Sequence, residues 1–465
     1  MNTKQMINKT TDMTEGNVLR LIISFAGPIL LGNLFQEFYG VVDTVLAGRF
    51  LGDQALAAIG ATSAISSMIL SLANGMNNGY AIILARAFGE KDYEKVKNSV
   101  ALMLFLNLIV TLLLTAFSLF FLRGILQLIH TPQEIMQQAY AYIQVILAGL
   151  IVTIFYNMEA AILRAVGNSR TPLVFLILAS ILNVIMDILF VAGLKTGIEG
   201  LAYATVIAQA ISIVCCLIHI KKHYPILHIE LQNFRFDRDS LWEMFSTGLS
   251  MGLMMSIFNI GTLIMQGAIN ALGAATITAH HAARKIDVIC MHPMGALAMA
   301  NATFVGQNFG AGKIERVKEG IKKTCVMGFL ISLLMMLLVM PFADVLVKLL
   351  TETEDLYIIK IAAQYLRMNL PFFFSLVVLQ TLRTSLQGLG SKISPLISSS
   401  MELILKVIAA FFVIPAFGYL AVCLIEPITW VVCMLWLIGS YRVALNHLER
   451  KKEESVTQSN LEDKK

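Results

Sequence analysis

Phe88 to Lys97 reads FGEKDYEKVK, and Phe309 to Lys318 reads FGAGKIERVK. Five of the ten positions are identical, and Lys95/Arg316 keeps the charge. The copies stand 221 residues apart (309 less 88), close to half of a 465-residue chain. Each copy is polar and basic, and each is flanked by apolar runs too long for a soluble core. One membrane-embedded bundle has been repeated, an organisation typical of secondary transporters.

The composition agrees. Hydrophobic residues make up 57% of the chain and charged residues 14%. Soluble proteins carry about 25% charged residues, so most of this chain cannot face water. A spanning helix needs ~20 mostly apolar residues. The sequence predicts twelve, at about 18–47, 54–82, 95–122, 135–163, 171–194, 198–220, 242–270, 275–305, 319–341, 356–386, 393–416 and 418–445. The expected fold is an all-α membrane protein of twelve transmembrane helices in two six-helix lobes related by pseudo-two-fold symmetry. The lobes are placed at 1–220 and 242–448, with an inter-lobe loop at 221–241 and a disordered tail at 449–465.

Charge placement predicts orientation. With a cytoplasmic N-terminus, 26 Lys and Arg of the connections fall on the cytoplasmic side, Arg383 among them, and five fall opposite: Arg49, Arg123, Lys195, Lys348 and Lys360. The positive-inside rule then puts both termini in the cytoplasm of a multi-pass cell-membrane protein. These are loop charges spaced by spans, so a nucleic-acid partner is not expected. The first 17 residues are polar and the first apolar run is long, so no cleavable signal peptide is expected. The six cysteines lie in or near apolar segments without a CxxC and read as small buried hydrophobes.

Further matches support the duplication. Phe25 and Phe245, Gly32 and Gly252, and Phe38 and Phe258 pair, as does Leu51-Gly52 with Leu272-Gly273. The connection from Arg164 to Pro172 resembles that from Gln387 to Pro395. Six spans per half is even, so the copies share one orientation, as in parallel repeats.

Charges at membrane depth are expensive and default to functional roles. Here they are Glu37, Asp43, Glu159, Asp187, Arg284, Lys285, Asp287, Arg367, Glu402, Lys406 and Glu426, with His280, His281 and His292. Gln36, Tyr39 and Asp43 share one face of span 1; Asn183 and Asp187 share a face of span 5. Both aspartates must face protein or water. A buried carboxyl can take a proton on one side and release it on the other; hydrogen-bonded packing between helices is the plainer alternative. His280, Arg284 and Asp287 share a face of span 8 and read as an ion cluster at a cavity mouth. Glu402 and Lys406 read as an internal ion pair, with Lys406 at the repeat position of Asn183.

Three segments carry a family resemblance: Asp43-Thr-Val-Leu-Ala-Gly with the later Leu-Gly-Asp-Gln-Ala-Leu-Ala-Ala, Asn183-Val-Ile-Met-Asp187, and Val305-Gly-Gln-Asn-Phe-Gly-Ala-Gly312. With twelve spans and the duplication, the chain resembles a multidrug and toxic compound extrusion (MATE) transporter over essentially its whole length. The resemblance implies an antiporter, not an enzyme, that exports drugs or other amphipathic, mainly cationic compounds. It would need no cofactor beyond H⁺ or Na⁺ and would work as a monomer in the bilayer. The DinF-like branch assigns cation coupling to a first-lobe cluster whose pattern matches Gln36, Tyr39, Asp43, Asn157, Asn183, Asp187 and Thr205, with Pro28 as the hinge of span 1. Na⁺ would sit at Asp43 and Asp187. The acids of the NorM-like branch are missing from spans 7 and 10, which favours the DinF-like arrangement.

Other readings fit less well. A P-loop fails because Gln307 replaces its first Gly and Ile314 its Ser/Thr. A major-facilitator transporter would carry a basic Gly-Arg motif where Ala85-Arg-Ala-Phe-Gly-Glu-Lys stands. A lipid-linked precursor flippase of the same superfamily often has fourteen spans. An intramembrane enzyme would need DDxxD, HExxH or a Gly-Ser-Gly site, and none is found.

Overall fold

The computed structural model describes residues 10–462; Lys4, Lys9, Lys464 and Lys465, counted above, lie outside them. Among the described residues there is no strand. Among these residues, eleven helices are long and apolar enough to cross a membrane, and a bent pair, taken as one span, makes twelve. The spans are 1, Val18–Leu51; 2, Asp53–Gly89; 3, Tyr93–Leu128; 4, Gln133–Ala148 with Leu150–Ala165; 5, Arg170–Gly193; 6, Ile198–His223; 7, Arg238–Asn270; 8, Ala274–Gly310; 9, Ile314–Val339; 10, Leu356–Gly388; 11, Ile393–Phe417; and 12, Tyr419–Arg450.

Local chemistry starts these helices. Asn17 Oδ1 accepts the Arg20 N–H at 3.1 Å and opens span 1. Asp92 caps span 3 through the Lys95 N–H, and Asn168 Oδ1 accepts the N–H groups of Arg170 and Thr171 at span 5. The turns recur between repeats. Gly52 and Gly273 both hold positive φ, as do Lys91 and Gly312, and Gly197 and Gly418. Span 4 bends by 48° at Gly149. A Cβ there would meet Val206 Cγ2 of span 6 at 2.4 Å, so the close approach needs glycine.

The chain divides into two compact units. The first takes residues up to Asn259 with Gly306–Arg316, and the second takes Ile260–Val305 with the chain from Val317 onward. This partition differs from six spans plus six. The reason lies in glycine. A Cβ on Gly79 of span 2 would lie 2.6 Å from Gly248 Cα of span 7, and one on Gly75 would lie 2.6 Å from the Met251 carbonyl oxygen. Backbone packs directly on backbone, which joins the start of span 7 to the first unit. A Cβ on Gly89 would strike the Gln307 carbonyl, and one on Gly310 would strike that of Arg86. Gly89 and Gly310 are repeat partners, so each closes on the other's helix end.

The second copy of the opening motif also holds the N-terminal segment. Met13 and Thr14 are buried. The Met13 N–H donates to Gln307 Oε1 at 2.9 Å, Asn308 Nδ2 donates to the Met13 carbonyl at 3.1 Å, and Lys313 Nζ donates to the Thr14 carbonyl at 2.9 Å. Partial burial pushes the Asp12 carboxyl up. Hydrogen bonds from Thr14, with Lys91 and Lys313 nearby, outweigh that and hold it below the ordinary carboxylate value.

Three expectations change. Arg383, counted as a loop charge, is 9% exposed inside span 10. Arg367, placed at membrane depth, is exposed and pairs with Asp344 at 2.5 Å, on the short helix Ala343–Thr351. The tail from 449 is helical as far as Glu462, since its Glu, Lys and Gln favour helix once a long helix precedes them; residues 463–465 lie outside the described chain.

Candidate functional site

Asp43 lies in the last third of span 1, one turn beyond Tyr39. Asn183 and Asp187 sit one turn apart on span 5, each 2% exposed in a helix otherwise largely apolar. Thr205 belongs to span 6. Helical spacing turns each pair to one side of its own helix, and packing in the first unit brings the three helices together.

Asn183 is the hub. With its amide oriented to satisfy its neighbours, Nδ2 lies 2.8 Å from Tyr39 Oη, 3.1 Å from Asp43 Oδ1 and 3.0 Å from Asp187 Oδ2. Its Oδ1 accepts the Thr205 N–H at 3.1 Å and lies 3.2 Å from Thr205 Oγ1. Tyr39 Oη and Thr205 Oγ1 thus both border the same amide. Asp43 and Asp187 each bring a carboxyl oxygen to the same amide nitrogen. A hydrogen bond between the two acids needs a proton on one of them. Asp187 Oδ1 is buried with no donor directed at it. A hydrogen bond from Thr153 Oγ1 to Gln209 Oε1, at 2.7 Å, ties span 4 to span 6 beside this cluster.

One turn beyond the site the lining becomes apolar. Ala47, Val191 and Leu201 follow or precede Asp43, Asp187 and Thr205 by about a turn, and they pack together with Leu51, Ile59 and Tyr142. Span 5 changes its winding directly after Asp187: residues Ile188–Gly193 form a π-helical turn, with the Leu194 N–H bonded to the Leu189 carbonyl at 2.8 Å. Such turns are rare and cluster at functional sites.

Five expected residues therefore meet: Tyr39, Asp43, Asn183, Asp187 and Thr205. Gln36 is exposed, and Asn157 Nδ2 donates to the Thr153 carbonyl of its own helix at 2.9 Å. Pro28 stands inside span 1, just over four turns before Asp43, and cannot donate to the helix ladder. With the Asn183 amide turning its nitrogen to the acids, the oxygens around the aspartates are those of two carboxyls, a phenol and a hydroxyl. These are hard oxygens, suited to a proton or to Na⁺ and not to a soft metal.

The second unit holds a separate polar core. Arg284 NH1 meets Asp287 Oδ2 at 2.8 Å and Tyr365 Oη at 3.3 Å, while His280 Nδ1 lies 3.2 Å from Tyr419 Oη. A cavity of about 130 Å³ is lined in part by His280, Arg284, Tyr365 and Glu426. Glu426 Oε1 lies 3.3 Å from Lys406 Nζ. Tyr365, Tyr419 and the Glu426 pairing were not foreseen. They come from different helices, and the sequence signal available was only that each is polar in an apolar run.

Known proteins resemble this chain over most of its length. The family model described as MatE matches residues 28–189 and 250–412, one stretch in each repeat. A protein of Bacillus subtilis (strain 168) named "Probable multidrug resistance protein YpnP" is 30% identical over 313 residues, covering 66% of this chain and 69% of that one. The structure titled "Crystal structure of MATE in the bent conformation" aligns with TM-score 0.88 at 23% identity, over 95% of this chain and 99% of the other. The one titled "Crystal structure of MATE in the straight conformation" aligns with TM-score 0.85 at 23% identity, over 95% and 100%. The chain therefore belongs to the MATE family of multidrug efflux transporters.

Proposed function

We propose that this protein is an antiporter that exports amphipathic, mainly cationic compounds in exchange for H⁺ or Na⁺ bound at the Asp43–Asp187 pair. The observation that carries the reading is the convergence of these two carboxyls on the one Asn183 amide nitrogen, inside a membrane-spanning bundle. Two acids gathered this closely do not readily both stay ionised without a cation or proton between them. Binding one removes charge repulsion, and the helices that bear the acids can then pack more closely. Cation and substrate affect each other through their different affinities for two conformations. This is the DinF-like arrangement of the family. Export from proteoliposomes under ΔpH alone and under ΔNa⁺ alone tests it. Accumulation driven by at least one gradient is expected; transport indifferent to both would refute coupling.

Span 1 is the expected moving element. Pro28 leaves one carbonyl of its ladder without its usual donor, and Tyr39 and Asp43 ride on the part beyond it. Pro28→Ala should slow transport by ~10-fold, about 1.4 kcal/mol of barrier, with dye affinity changed far less. Equilibrium dye binding and efflux rate on the same purified variant check this, and equal losses in both would dismiss the hinge.

Orientation follows from the loop charges, with both termini cytoplasmic. In a background lacking native cysteines, Glu315→Cys should be silent to an impermeant thiol reagent added to intact cells. It should label after permeabilisation. Labelling from outside would invert the topology.

A further inference from the structure

The second unit repeats the frame of the first but fills it differently. In the first unit the aspartate cluster is built on spans 1, 5 and 6, with span 4 alongside. Their repeat counterparts are spans 7, 11, 12 and 10. Lys406, at the repeat position of Asn183, is 1% exposed. Its Nζ lies 3.0 Å from Glu402 Oε1 on span 11 and 3.3 Å from Glu426 Oε1 on span 12. The other carboxyl oxygen of Glu402 takes Arg383 NH2 of span 10 at 3.3 Å, and Arg383 also donates to Ser398 Oγ at 2.9 Å. On span 7, a Cβ at Gly261 would lie 3.0 Å from Lys406 Cδ, so the stem runs along a glycine. A π-helical turn, Ala409–Val413, begins three residues after Lys406, and one begins five residues after Asn183 in span 5.

An ammonium between two carboxylates, on the four helices equivalent to those around a cation site, has the coordination of a bound monovalent cation. We propose that the second unit contains a cation site which the chain occupies with its own side chain. Lys406 is a tethered ammonium standing where a free Na⁺ or alkylammonium ion would bind between Glu402 and Glu426. The native protein then carries one exchangeable cation site, not two, and the second unit stays in its cation-filled packing throughout the cycle. The analogy rests on the first-unit cluster being a cation site, but the geometry of Lys406 does not depend on it.

The test is chemical rescue. Asp43→Asn with Asp187→Asn removes the first-unit acids and serves as the parent, so a failure here is separate from a failure of the proposed coupling site. Lys406→Ala is added. Thermal unfolding and recovery of monodisperse protein are measured in choline, sodium and n-propylammonium chlorides; propylammonium matches the deleted atoms. The Lys406→Ala protein should gain at least ~3 °C in Tm in sodium or propylammonium over choline, saturably. The parent should not respond, and adding Glu426→Gln should abolish the gain. If Lys406→Ala is lost in choline, recovery in propylammonium supports the proposal. Equal behaviour in all three salts, including equal failure to recover, overturns it, as does the same response in the parent.

Discussion

Asp43→Asn and Asp187→Asn are each expected to bring ion-driven efflux down to background while membrane insertion and folding persist. Asn keeps the volume and can still hydrogen-bond Asn183 or Tyr39, but it cannot titrate or lend a negative charge to a cation. At Asp187 the substitution changes a residue 2% exposed whose Oδ1 has no donor, so it places an amide where the proposed proton or cation would be accommodated. Loss of the charge also removes the repulsion across the pair, and the unit should then rest in its cation-bound packing. The measurement pairs efflux under an imposed gradient with Tm of the purified variant. Unfolding should be unchanged or slightly raised, because an unpaired buried charge is costly and its removal relieves that cost. Near-normal drug resistance in cells expressing either variant would sink the site.

Gly79→Leu should have an effect of similar size through packing alone. The atoms a Cβ would meet are Gly248 Cα at 2.6 Å and the Thr247 carbonyl oxygen at 2.8 Å. Both are backbone, so neither can swing aside as a side chain would. An overpacked core costs ~1–3 kcal/mol when side chains can adjust, and this clash requires two helices to separate. Efflux should fall to background and Tm should drop by several degrees. Gly60 lies on the same helix, and a Cβ there meets nothing within 4 Å. Gly60→Ala should therefore be neutral or mildly stabilising, since Ala favours helix. Similar results for both variants would show that the close approach of spans 2 and 7 is not needed.

Much of this architecture could be read from the chain because the bilayer enforces a simple code. Spans must be long and apolar, turns must be polar, and both signals occur twice. The cluster of Tyr39, Asp43, Asn183 and Asp187 was legible for a related reason: a polar residue in an apolar helix is conspicuous, and a spacing of four gives its face. That arithmetic holds within one helix only. It put Gln36 on the face of Tyr39 and Asp43, but an exposed position is decided by what packs opposite. It could not show that Glu426 reaches Lys406, since the two stand on different helices. Arg383 was misjudged because it sits near the end of an apolar run, where a loop charge and a buried charge look alike. The glycine contacts that redraw the units were invisible for the opposite reason: a missing side chain leaves no pattern.

The two π-helical turns say something about history. A turn closed by i→i+5 bonds holds one residue more than an α turn. It is what remains when a single residue is inserted into a finished helix and the helix absorbs it without breaking. The turns begin at Ile188 and Ala409, in the same span of each copy, and lie 221 residues apart where Asn183 and Lys406 stand 223 apart, so they sit two residues out of register. A single insertion in an ancestral half-length gene, copied when that gene was joined to itself, accounts for a widened turn in the same span of both copies. On that ordering, the widened turn is older than the two-lobed protein, and it was already in place before one copy acquired an aspartate beside it and the other a lysine.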